Sequence, residues 1–144
     1  MQTAFRSEEC FTQAHVFGSS TGYELPSGDT LQPDLSFIST ARWKAGPAPK
    51  RPNDFLRIVP DLVVEILSPS TAKRDRTEKL EIYTSNGVDE VWIVDAERRE
   101  VTVFHCEGGR PVRSSSVKRG RIPSRVLSGL ELGVEGVFAE ATAG

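Results

Sequence analysis

Cysteine is scarce in this chain of 144 residues: Cys10 and Cys106 lie far apart and outside any CxxC or His/Cys spacing. That excludes a disulfide framework and a zinc site built on the usual ligand spacing. Long apolar runs are absent as well. No stretch approaches the ~20 residues that a helix needs to cross a bilayer, so no membrane partner is expected. The N-terminus, MQTAFRSEEC, has acidic residues where a secretory leader has a basic start and an apolar middle, and a cytoplasmic location is expected. Net charge is small, −2, which neither favours nor excludes nucleic acid because distribution decides that question. At 38% hydrophobic and 26% charged residues the composition is that of a folded globular protein. No break in composition divides the chain, and its length suits one domain with one core, residues 1–144.

What charge there is lies unevenly. Residues 110–125 hold Arg110, Arg113, Lys118, Arg119, Arg121 and Arg125 without an acid, whereas 129–144 hold Glu131, Glu135 and Glu140 without a base. A second acid-free stretch carries Arg42, Lys44, Lys50 and Arg51. Such segments contact phosphate, and each is equally readable as a solvated face.

Along the chain, a strand is expected within 11–17 and another at 23–25, separated by the turn-forming Gly18-Ser-Ser-Thr-Gly22. Residues 32–38 alternate polar and apolar, the period of a half-buried strand with Asp34, Ser36 and Ile38 on one face. Residues 41–53 contain Pro47, Pro49 and Pro52 among basic residues and read as a long exposed loop. The near-continuous apolar run of 61–67 predicts a strand buried on both faces. A helix follows to Asn86-Gly87, then strands at 88–95 and 100–105 joined as a hairpin. Strand 61–67, the helix and strand 88–95 make a βαβ unit with its two strands parallel. Further strands are expected at 111–117, 122–126 and 130–132, before a polar tail. The fold class is therefore α/β with a mixed, bent sheet.

Chemistry concentrates around 60–86, PDLVVEILSPSTAKRDRTEKLEIYTSN. Glu65, flanked by Val64 and Ile66 in a two-sided apolar strand, is costly to bury without a metal, a cation or an arginine or lysine partner. Asp61 shares its face but lies four residues away, about 13 Å along a strand, too far to share one ion. Asp34, on a strand able to pair beside 61–67, is the better partner, since cross-strand neighbours sit about 5 Å apart and two carboxylates can converge on one Mg²⁺. Lys79, in the following helix, is suited to orient or deprotonate water, or else forms a surface pair with Asp75 one turn before it; Tyr83 lies one turn after. Arg42, Lys44, Lys50 and Arg51, with Lys73, Arg74 and Arg76 at the helix start, are candidate phosphate contacts.

Pro60-Asp-Leu-Val-Val-Glu-Ile-Leu-Ser-Pro-Ser70, followed by Lys79-x3-Tyr83, Gly87-Val88 and Glu90-Val-Trp-Ile-Val-Asp95, resembles the Uma2 family, also called DUF820, a branch of the PD-(D/E)XK nuclease superfamily. Thr21-Gly-Tyr-x-Leu25 and Pro33-Asp34-Leu-Ser-Phe37 fit the same family, and the resemblance is strongest over 16–105. It implies a restriction-endonuclease-like core in which Asp34 and Glu65 bind Mg²⁺ or Mn²⁺ for hydrolysis of DNA phosphodiesters. The superfamily lysine, two residues after the glutamate, is Leu67 here, and Lys79 on the helix takes its role. Asp61 becomes a secondary acidic residue near the site. The resemblance also implies a shortened N-terminus, lacking a helix and leading strands, and a homodimer to cover what that exposes. A catalytically inactive nucleic-acid-binding or oligomerisation module of the same fold is the alternative.

Overall fold

The computed structural model describes residues 14–49, 51, 54–67, 73–129 and 132–143, and its elements follow from where apolar residues fall. The strands are β1 (Ala14–Gly18), β2 (Tyr23–Glu24), β3 (Thr30–Leu31), β4 (Leu35–Ser39), β5 (Leu62–Leu67), β6 (Glu90–Asp95), β7 (Glu100–Glu107) and β8 (Arg110–Val117). The helices are α1 (Thr40–Ala45), α2 (Lys73–Ser85) and α3 (Val134–Ala143). Among the described residues no helix is long and apolar enough to cross a membrane.

A six-stranded sheet runs in the order β1-β4-β5-β6-β7-β8, and β2 with β3 forms a separate two-stranded ribbon. Only β5 and β6 run parallel, as the crossover through α2 demands; the other neighbours are antiparallel. The fold is thus mixed α/β with a mostly antiparallel sheet around one βαβ unit. Both sheet faces are covered. One packs Phe37, Val64, Trp92 and Val103 under Ile122, Leu127, Val137 and Phe138; the other packs Ile38, Val63 and Val91 under Tyr23, Leu56, Ile58 and Tyr83. β4 is consequently buried on both faces rather than half-buried, because it lies inside the sheet between β1 and β5.

Three expectations for the loops are corrected. Residues 40–45 are a helix, not loop: Ser39 Oγ accepts the Arg42 N–H as N-cap, and every proline of the segment comes after Ala45. Gly46 ends it where a Cβ would meet Ile58 Cγ1 at 2.3 Å, so only glycine allows that approach. Residues 122–126 are not a strand but an irregular segment carrying a single bridge, Arg121 to Gly133, at its flank. The expected polar tail is α3, whose Val134, Val137 and Phe138 recur at helical spacing and are buried, with the Arg99 guanidinium 5.0 Å from the centre of the Phe138 ring. The expected shortening at the N-terminus falls on residues 1–13, outside the described residues, as do Cys10, Lys50 and the strand end at 130–131.

Glu90 anchors the irregular segment. Fully buried, it accepts Trp92 Nε1–H at 2.7 Å and the Ser124 hydroxyl at 2.5 Å on Oε2, and the Arg125 and Val126 N–H groups at 2.8 and 3.2 Å on Oε1. His105 Nδ1 stands 3.4 Å from Oε1. A carboxylate so saturated ties residues 124–126 to the sheet.

Two outcomes test this arrangement in urea denaturation. Glu90→Ala, which strands several buried donors, is expected to cost about 3–5 kcal/mol. Phe138→Ala is expected to cost about 3–5 kcal/mol if α3 closes the core, and almost nothing if it does not.

Candidate active site

The antiparallel register Leu35↔Val64 carries Asp34, one residue before β4, alongside Glu65 in β5. Asp34 is held there by its own chemistry: Oδ2 accepts the Ile66 N–H at 2.7 Å, so the side chain occupies a ladder position that backbone would otherwise fill. Glu65 points to the α2 face of the sheet, with Val63 and Leu67, and is only 7% exposed. Its Oε2 accepts the Tyr83 hydroxyl at 2.5 Å and its Oε1 lies 3.6 Å from Lys79 Nζ. Lys79 and Tyr83 reach the same carboxylate because they are one turn apart on α2.

These groups surround a cavity of about 190 Å³, lined by Asp34, Glu65, Leu67, Arg76, Lys79 and Ile93 among others. Leu67 therefore faces the cavity from the strand while the ammonium enters from the helix. Burial raises the Glu65 carboxyl above the usual range; the Tyr83 hydrogen bond and the Lys79 charge pull it down, and the neighbouring Asp34 charge adds to the rise. Burial and the adjacent Glu65 push the Tyr83 phenol far up, so it stays protonated and a donor.

The fit to a divalent cation rests on this donor set. Among the described residues no group of three or more His, Cys, Asp or Glu side chains converges on a metal position. Two carboxylates at one cavity suffice for Mg²⁺, which keeps several waters and is commonly held by one or two carboxylates plus substrate phosphate. Asp34 and Glu65 are the residues that would hold it.

Asp61, expected near the site, is corrected. It stands just before β5, at the end away from Glu65, where Oδ1 accepts the Ser39 N–H at 2.6 Å and Oδ2 pairs with Arg42 Nε at 3.3 Å. Arg42, expected to face phosphate, is half-buried and engaged within the chain: its guanidinium also donates to the carbonyls of Val59, Pro60 and Gly87 and to Asp89 Oδ2 at 2.7 Å. That fork ties α1 to the turn after α2. Lys44 and Arg51 are exposed, Arg76 lines the cavity, and Lys73 and Arg74 belong to the first turn of α2 with side chains outside the described set. The basic stretch 110–125 does not join the cavity. β8 forms the far edge of the sheet, and the register Thr102↔Ser116 puts Arg113 on the face opposite Glu65. Arg76, expected as a phosphate contact, does line the cavity. Tyr83, which reaches the site through Glu65, has no role assigned from the sequence, although the Lys79-x3-Tyr83 spacing places it on the same helix face.

The class is a mixed α/β fold with a central βαβ unit and, beside its crossover helix, a cavity lined by two carboxylates and two cations. The same fold occurs in a crystal structure of a "putative nuclease belonging to DUF820" from Anabaena variabilis, with a TM-score of 0.67 and 22% sequence identity over 88% of this chain and 68% of that one. A profile of the Uma2 family, described as "Putative restriction endonuclease", matches residues 4–135. The chain belongs to the Uma2 family. No curated protein matches it.

If Arg42 serves the fold, Arg42→Ala will lose about 1.5–3 kcal/mol in urea denaturation and Arg42→Lys will recover little of it, because an ammonium cannot reproduce the fork.

Proposed function

We propose that this chain is a Mg²⁺-dependent endonuclease that hydrolyses phosphodiester bonds of DNA, with Mn²⁺ able to replace Mg²⁺. The observation that carries the reading is the pairing of Asp34 and Glu65 at one cavity with Lys79 Nζ 3.6 Å from Glu65 Oε1. Asp34 and Glu65 would hold the ion, which would supply Lewis acidity to the phosphoryl group and make water more acidic. The chain's own residues do the rest. Asp34 and Glu65 hold the negative charge that a cation needs, Glu65 buried and Asp34 half-buried at the cavity. Lys79, at the cavity and 35% exposed, positions the attacking water and offsets the charge that grows on the phosphate. Arg76, on the same cavity wall, offers a planar donor pair to a phosphate oxygen, and the exposed Lys44 and Arg51 are assigned to flanking phosphates.

Incubation of the full chain with duplex DNA tests this directly. Cleavage is expected with Mg²⁺ or Mn²⁺ and is expected to stop on chelation, to vanish in Asp34→Ala and Glu65→Ala, and to fall about 10²–10⁴-fold in Lys79→Ala. The metal should also stabilise the protein by about 2.7 kcal/mol at a hundredfold excess over its Kd. Cleavage that survives chelation, or that persists in either carboxylate variant, overturns the reading.

A further inference from the structure

The two oxygens of Glu65 are treated differently by one helix. Tyr83, 1% exposed, donates its only hydroxyl proton to Oε2 at 2.5 Å, while Lys79, a turn earlier and partly open to water, stands 3.6 Å from Oε1. Tyr83 belongs to the buried cluster that includes Val63, Val88, Val91 and Ile93, so its hydroxyl cannot swing to another acceptor without disturbing the core. The other fully buried phenol of this face, Tyr23, is engaged elsewhere, 2.6 Å from Ser36 Oγ. Rotation of a glutamate about its last torsion is otherwise soft, with no deep preference for one orientation. A committed donor on one oxygen removes that freedom.

Phenylalanine would pack almost as well at 83, so packing alone does not account for the hydroxyl. A hydroxyl buried this deeply needs an acceptor, and here the acceptor is the cavity carboxylate itself.

We propose that Tyr83 is a positioning residue: by holding Oε2, its hydroxyl turns Oε1 of Glu65 towards Lys79 and the cavity and thereby sets the affinity of the Asp34–Glu65 pair for a divalent cation. The inference rests on the nuclease reading, since it concerns the same cavity. It adds the residue that decides how tightly the ion is held.

Calorimetric titration of the full chain with Mn²⁺, which needs no turnover, separates the two. Tyr83→Phe is expected to bind Mn²⁺ about tenfold or more weakly, the usual effect of removing a hydrogen-bonding partner from a metal-ligating side chain. Tyr23→Phe removes the comparable buried hydroxyl bonded to Ser36, and is expected to lower the melting temperature by a similar amount while leaving Mn²⁺ affinity unchanged. Unchanged affinity in Tyr83→Phe, or equal losses in both variants, overturns the positioning role and leaves the nuclease reading standing. A wild-type chain that binds no Mn²⁺ overturns both.

Discussion

A carboxylate in the middle of a strand buried on both faces is the constraint on which the site depends. Glu65 lies in β5, whose neighbours β4 and β6 close off both sides and whose faces are covered, so water reaches it only by way of the cavity. Ionised and alone it would be strongly disfavoured. The surroundings answer that cost in three ways: a phenol from α2, an ammonium from the same helix, and a cavity open to solvent beside Asp34. The βαβ crossover is what brings α2 over this face, so fold and site share one cause.

Glu90 shows the other solution to the same problem. It is more deeply buried than Glu65, yet side-chain and backbone donors from Trp92, Ser124, Arg125 and Val126 saturate both of its oxygens. Glu90 also lines a cavity, of about 320 Å³ with His105 and Cys106, but its oxygens are committed to fastening the irregular segment that leads to α3. Glu65 receives two partners, one of them partly solvated, and borders a cavity. Burial alone does not distinguish a structural carboxylate from a chemical one; the number of donors the protein commits to it does.

Much of the chain's organisation is legible in its order of residues. The apolar run of β5, the helix stop at Asn86-Gly87 and the hairpin around 96–99 carry strong local signals, and the parallel pairing of β5 with β6 follows from the length of the connection. Two helices are harder to see. α1 is six residues long and is masked by the prolines that follow it, although Ser39 is a good N-cap. α3 is interrupted by Gly136 and flanked by acids, which makes its buried Val134, Val137 and Phe138 easy to pass over. The destination of charged side chains is hardest of all. Arg42 reads as a surface cation in a basic loop, and only the folded chain brings the carbonyls of Val59, Pro60 and Gly87 and the carboxylates of Asp61 and Asp89 around it.

Sequence alone therefore determined which carboxylate had to find a partner, because strand period and apolar flanks are local properties of 62–67, and it sent Asp61 and Glu65 apart because strand rise is fixed. Tertiary structure decided who answers. Register between β4 and β5 set Asp34 beside Glu65, the crossover set Lys79 and Tyr83 above it, and the far edge of the sheet carried the basic segment 110–125 away from it. Each of these depends on contacts between residues distant in the chain, which no local pattern encodes.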